Sequence, residues 1–279
     1  MINFVAINTK SIQRMKLKNL DKHIRYFKGP GLGMIDKYQL HKRKRYESFN
    51  LNFFGKEIRV PDAGSFLGVY QEMFIDEIYK FNSKNFSPVI IDCGSNIGLS
   101  ILYFKQLYPT AKIIGFEADP DIYNILYNNI SIFGHNDVEL INKAVWTKEG
   151  YIEFQVEGGA SGMITDNSGA ENVIRLPSIR LKDTLRQFET IDFLKVDIEG
   201  AEYDVIQDCQ EELHRAHHLF IEYHSMDNKD QQLSELLTIL HDTGFRYHIT
   251  EAFTSPHPFI ERNTMTGMDL LLNIYAWKS

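Results

Sequence analysis

Four titratable side chains stand at the ends of two apolar runs: Asp197 and Glu199 follow IDFLKV at 191–196, and Glu222 and His224 end LFIEYH at 219–224. Carboxylates and an imidazole gathered at neighbouring strand ends can take the proton of a hydroxyl as general base. Asp197 and Glu222 could instead hold a magnesium ion through oxygen, lowering the pKa of that hydroxyl and orienting it. Two carboxylates are few for a dedicated metal site, so the reading favours base catalysis and assigns no metal ligand. Lys195 lies on the same strand face as Asp197 and neutralises it. Plainer roles stay open beside these: Glu199 and Glu202 as first-turn acids favoured by a helix dipole, His224 as a satisfied strand-end histidine, and Cys93 as a small packing residue. His217 and His218 have no partners at metal-ligand spacing.

A second constellation sits upstream. VIIDCGSNIGLS, 89–100, is an apolar strand that stops at Asp92 and turns through Gly94, Asn96 and Gly98 into a helix. In open α/β sheets ligands lie beyond the carboxyl ends of the strands, and the turn after the first strand is the floor of that site. Glycines there permit close approach, and amides at the helix N-terminus can donate. The spelling D-x-G-x-N-x-G departs from the dinucleotide pattern G-x-G-x-x-G, and an aspartate before the turn is unfavourable to a pyrophosphate. A nucleoside with a cationic end, S-adenosylmethionine, fits an anionic turn better. Glu117, closing KIIGFEADP about twenty-five residues on, can accept from both ribose hydroxyls; Asn142 and the backbone at Ala144, in INKAVW, border the adenine.

These residues need a sheet to hold them. Strands are expected at 89–92, 112–117, 138–142, 191–197, 218–224, 245–250 and 270–277, and helices at 97–107, 120–133, 199–213 and 228–243, with Pro120 in a first turn. Strand and helix alternate, which gives an α/β fold: a seven-stranded, mostly parallel Rossmann-like sheet, helices on both faces and an antiparallel last strand. A strand pair, 151–156 and 173–181, interrupts the alternation, and the Gly- and Ser-rich stretch 157–172 between them reads as an irregular lid over the acceptor. Upstream, 49–61 reads as a hairpin and 65–81 as a helix capped by Ser65. The division expected is an N-terminal extension, 1–85, contacting substrate or a second copy of the chain in a homodimer, and a catalytic domain, 86–279.

Composition narrows the partners. A net charge of −7 from 30 basic and 37 acidic residues steers nothing toward nucleic acid, and HKRKRY, 41–46, reads as a solvated charged face. Two distant cysteines give neither a disulfide framework nor a zinc site, which fits a reducing cytoplasm. No apolar stretch reaches the roughly 20 residues of a membrane span, and the start lacks the order of a secretory signal.

Taken together, VIIDCGSNIGLS, IIGFEADP, IDFLKVDIEGAEYDVI and LFIEYH resemble the FkbM family of S-adenosylmethionine-dependent methyltransferases over residues 86–277, with KVDIEGAE the most family-specific piece. The resemblance implies a class I methyltransferase fold and O-methylation of a hydroxyl on a sugar, glycan or natural product. It matches Asp92, Gly94, Asn96, Gly98 and Glu117 to the cofactor motif. Two other readings stand beside it: a nicotinamide-dependent oxidoreductase, disfavoured by the missing glycines, and a non-catalytic adenosylmethionine-binding or scaffolding module.

Overall fold

A computed structural model describes residues 29–135, 137–157, 161–164, 173–227, 229–255, 257–260 and 267–278. The chain divides into two compact units, one ending at Ile78 and one beginning at Tyr79.

In the first unit a short helix, α1 (Met34–Leu40), precedes a hairpin of β1 (Phe49–Phe53) and β2 (Lys56–Val60), paired from Phe49↔Val60 to Phe53↔Lys56. Phe54 and Gly55 form its two-residue turn, both with positive φ, as the twist of such a hairpin requires. Alternation turns Phe49, Leu51, Phe53, Ile58 and Val60 inward. The expected helix at 65–81 starts earlier and stops sooner: α2 spans Ala63–Tyr70 and passes into a single π turn, Gln71–Ile75. Its cap is Asp62, not Ser65. The Asp62 carboxylate accepts from the Ser65 amide at 2.8 Å, so Ser65 already lies inside the first turn. The helix ends because Glu77 takes a left-handed φ of 52°, which no helix carries through. Asp62 also receives Tyr46 N at 2.7 Å and Arg45 Nε at 3.0 Å. Burial pushes its carboxyl up, but these donors outweigh it and hold the pKa below the usual aspartate value. Asp62→Ala is therefore expected to cost about 2 kcal/mol, read as a lowered urea midpoint of this unit.

The second unit carries the sheet. Its elements in chain order are β3 (Val89–Cys93), α3 (Leu99–Leu107), β4 (Lys112–Phe116), α4 (Pro120–Phe133), β5 (Val138–Ile141), β6 (Ala144–Trp146), β7 (Gly150–Glu157), β8 (Ser161–Ile164), β9 (Val173–Arg180), α5 (Leu181–Leu185), β10 (Ile191–Val196), α6 (Glu202–Asp208), β11 (Ala216–Met226), α7 (Leu233–Asp242), β12 (Arg246–Thr254) and β13 (Met268–Trp277). Seven strands form one sheet in the order β12-β13-β11-β10-β3-β4-β5. All neighbours are parallel except β13, antiparallel to both β11 and β12. From β3 the chain moves outward through β4 and β5, then returns to β10 on the other side of β3. The strand order reverses there, at the carboxyl ends of β3 and β10, the place where open α/β sheets carry their ligand crevice.

Central β10 is buried along its whole length, as expected of a parallel strand covered on both faces. Phe193 packs its ring against Phe104 of α3 at 5.2 Å between centroids, while Leu194 and Val196 join Val205, Ile206, Leu236 and Leu240 in the main apolar core. Tyr79 and Phe81 also lie on the Phe193 side, so the segment just before β3 packs within this unit.

The expected helix 199–213 is broken: α6 covers only Glu202–Asp208, and a 3-10 turn follows at Gln210–Arg215. Helix 228–243 begins at Leu233. The strand pair flanking 157–172 belongs to a separate four-stranded sheet, β6-β9-β7-β8, in which β6 runs parallel to β9. Within the stretch read as an irregular lid, Ser161–Ile164 is a strand paired with β7; residues 158–160 and 165–172 lie outside the described residues. No helix among the described residues is long and apolar enough to cross a membrane.

Candidate active site

The turn after β3 is tied down by its own neighbours. The amides of Gly94 and Ser95 both donate to the Phe116 carbonyl, at 3.0 and 2.8 Å. Asn96 N donates to Glu117 Oε2 at 2.9 Å, Ile97 N to Asn96 Oδ1 at 2.8 Å and Gly98 N to Ser95 O at 2.9 Å. The expectation of amide donors held ready for a ligand is corrected: each amide from 94 to 98 has a protein acceptor.

The glycines likewise answer to the protein. Gly94 has φ +84°, and a Cβ there would overlap the carbonyl oxygen of Asp197 as the chain leaves β10. Gly98, at φ +96°, lies where a Cβ would come within 2.9 Å of Leu126 and Ile130 of α4. Both allow close packing of backbone on backbone or helix on helix.

Asp92 is fully buried and faces inward. Its Oδ2 accepts from Ser95 Oγ at 3.0 Å and Ser100 Oγ at 2.6 Å. Its Oδ1 lies 3.3 Å from Lys195 Nζ, an ion pair at a distance too long for a well-formed hydrogen bond. Asp92 therefore braces the turn from beneath. Lys195 is the hub of this region. Its ammonium, 1% exposed, also donates to the carbonyls of Gly94 at 2.8 Å and Cys93 at 3.2 Å and meets Asp197 Oδ2 at 3.1 Å. Burial alone pulls its pKa down, but Asp197 and Asp92 outweigh it and hold the ammonium above the ordinary lysine range. Cys93 is buried in the main core, as a packing residue would be.

Glu117 follows β4 and remains partly accessible at the crevice. Burial pushes its carboxyl up to about 7, against the lowering effect of the Asp119 and Asn96 amides that it accepts, each at 2.9 Å. Asn142 donates through Nδ2 to the carbonyls of Glu117 and Ala118, at 2.9 and 3.2 Å, and so ties the end of β5 to the loop after β4. Ala144 packs with Ile152 and Leu176 in the second sheet.

At the ends of β10 and β11 the structure brings all four predicted acid–base groups together. Asp197, 22% exposed, pairs with Lys195 and hydrogen-bonds Glu222. Burial pushes its carboxyl up, but Lys195 and His224 draw it below the usual aspartate value. His224 is 8% exposed and sits between two carboxylates: Nδ1 lies 3.0 Å from Glu202 Oε1, and Nε2 lies 3.4 Å from Glu199 Oε2. Burial pulls the ring's pKa down, but Glu202, Glu199 and Glu222 raise it well above the ordinary histidine value. In this arrangement the imidazole holds a proton rather than taking one.

Glu202, which by sequence is a first-turn acid, sits at the centre of this cluster. It is buried, and its Oε1 accepts from Ile198 N and Gly200 N, both at 3.0 Å, as well as from His224 Nδ1. One carboxylate thus pins the 198–200 loop, where Glu199 and Gly200 both have positive φ, and orients the histidine. Its signal in the sequence is the D-x-E-x-x-E spacing of Asp197, Glu199 and Glu202. Ser95 and Ser100, the partners of Asp92, have no such signal: their part depends on the direction of the side chain, not on residue type.

Residues 92–247 match the model of the methyltransferase FkbM domain, more than half of the chain. The methyltransferase sdnD of Sordaria araneosa is 31% identical over 181 residues, covering 52% of this chain and 69% of that protein. The 2-O-methyltransferase NoeI of Sinorhizobium fredii is 29% identical over 167 residues, 53% of this chain and 66% of that protein. Among solved structures, a SAM-dependent methyltransferase from Agrobacterium tumefaciens superposes with a TM-score of 0.51 at 12% identity, over 85% of this chain and 72% of that one, a likeness of fold. The matched residues take in the glycine turn after β3 and the ends of β10 and β11, and the chain belongs to the FkbM methyltransferase family.

Proposed function

We propose that the protein transfers a methyl group from S-adenosylmethionine to a hydroxyl of a sugar, glycan or natural-product acceptor. The observation that carries this reading is the character of the crevice floor: its amides from 94 to 98 are bonded within the protein, while the carboxylates of Glu117 and Asp197 stay partly accessible beside it. Such a floor offers acceptors to ribose hydroxyls and to a cationic nucleoside, and few donors to a pyrophosphate. That weighs against the nicotinamide rival. The name of the NoeI relative supports oxygen as the methylated atom.

Transfer is an in-line displacement: the acceptor oxygen bonds the methyl carbon as the carbon–sulfur bond breaks, and the sulfur leaves as a neutral thioether. The hydroxyl proton passes to the Asp197 carboxylate, which Lys195 keeps ionised. Lys195 holds Asp197 in place, and Glu202 fixes the loop and ring that flank it. Most of the rate then comes from alignment and exclusion of water.

An acceptor screen that reads release of S-adenosylhomocysteine tests the reaction, and calorimetric titration of the same nucleoside tests the site. Because Glu117 must be ionised to accept from the ribose, affinity is expected to rise with pH through about 7. The gain from pH 6 to pH 8 is about tenfold, and it disappears in Glu117→Gln. No heat with the nucleoside at either pH, or heat with a nicotinamide dinucleotide instead, would sink the reading.

A further inference from the structure

Asp197, Glu199 and His224 each have one potential ligand atom within 4.8 Å of those of the other two. The parallel pairing of β10 with β11 brings the two strand ends together. Three features set this group apart from an ordinary patch of acids. One donor is an imidazole nitrogen on a ring 8% exposed, and its Nε2 stands 3.4 Å from Glu199 Oε2, too long for a well-formed hydrogen bond. The ring's other nitrogen is held at 3.0 Å by the buried Glu202 carboxylate, the arrangement that fixes the tautomer and direction of a metal-ligating histidine. Glu199 joins this group from a left-handed backbone, φ 57°, inside a loop that the same Glu202 anchors.

We propose that Asp197, Glu199 and His224 bind a first-row transition-metal dication such as manganese(II), and not magnesium. An imidazole nitrogen with two carboxylates suits manganese or iron, whereas magnesium prefers oxygen ligands alone and keeps its waters. The ion takes the position that a proton on Nε2 otherwise occupies between the same carboxylates, so loading displaces that proton. Binding does not depend on methyl transfer. The ion's role does rest on the reading above: at the acceptor end of the crevice it would lower the pKa of the hydroxyl to be methylated.

Manganese(II) added to the metal-stripped full chain, followed by loss of the free-ion paramagnetic resonance signal, is expected to bind one ion per chain. Magnesium should compete about tenfold less well or worse. Glu199→Gln alters a side chain that is 38% exposed, so the fold should survive, and it is expected to weaken manganese binding about tenfold or more. Asp197→Asn, checked for an unchanged melting temperature, should do the same. No binding, binding unaltered in both variants, or equal competition by magnesium overturns the assignment. S-adenosylhomocysteine titrated into the same samples separates the two ideas: nucleoside bound without manganese removes the metal site alone, and manganese bound without nucleoside removes the methyl-transfer reading alone.

Discussion

Gly94→Ala is expected to be the most damaging small substitution in the chain, costing about 4 kcal/mol or more and leaving little soluble protein. Two costs combine. An alanine at φ +84° is strained by about 1–2 kcal/mol wherever it sits. Its Cβ would also overlap the carbonyl oxygen of Asp197, which is main chain and cannot swing aside. Relief would have to come from separating β3 from β10, and that pairing forms the middle of the sheet. Gly134→Ala supplies the control: it shares a positive φ, 72°, but a Cβ there meets nothing within 4 Å. Urea midpoints of the two variants isolate the steric part. A Gly94→Ala protein no less stable than Gly134→Ala would mean that β3 and β10 do not approach as described.

Lys195→Met is expected to destabilise the second unit by about 3–5 kcal/mol, because removing one partner of a buried ion pair leaves the other uncompensated. Here two carboxylates lose their cation: Asp92, with no exposure, and Asp197. Methionine fills nearly the same volume, so the loss would be electrostatic rather than a cavity. The double variant Asp92→Asn, Lys195→Met should recover a substantial part, since an amide oxygen can still accept from Ser95 and Ser100 without carrying charge. Chemical denaturation of the four proteins in this cycle gives the coupling directly. Additive losses would show that Lys195 does not compensate Asp92. Because the same ammonium binds the Gly94 carbonyl, affinity for S-adenosylhomocysteine should fall along with stability.

The two variants probe one design feature. Lys195 and Gly94 join the turn after β3 to the end of β10, so the proposed nucleoside floor and the acid–base cluster share a single set of contacts. Glu202 extends the same connection to β11 through His224. The proposed reaction needs donor and acceptor in line, and a scaffold that fixes both ends through three adjacent strands supplies that alignment.

Much of this was legible in the order of residues. VIID, KIIGFE and IDFLKVD announce buried parallel strands through short, mostly apolar runs, and the acids that close them fall at the carboxyl end of the sheet. Local rules failed where one residue's geometry depends on a distant one. Ser65 has the chemistry of a cap, yet Asp62 takes that place because its carboxylate also answers Arg45 and Tyr46. The helix expected over 65–81 has an apolar stripe to its end, but the chain turns left-handed at Glu77.

The sequence by itself determined the seven strands of the main sheet, that they stack mostly in parallel, and which acids stand at its mouth, because periodicity and strand-end position are properties of neighbouring residues. Only the tertiary structure decided where those acids point. Asp92 turns inward to Ser95, Ser100 and a lysine 103 positions away, and Glu202 turns back from its helix to a histidine 22 positions on. A carboxylate's direction follows from the field of whatever the fold places beside it, and that neighbour is set by strand order, not by spacing along the chain.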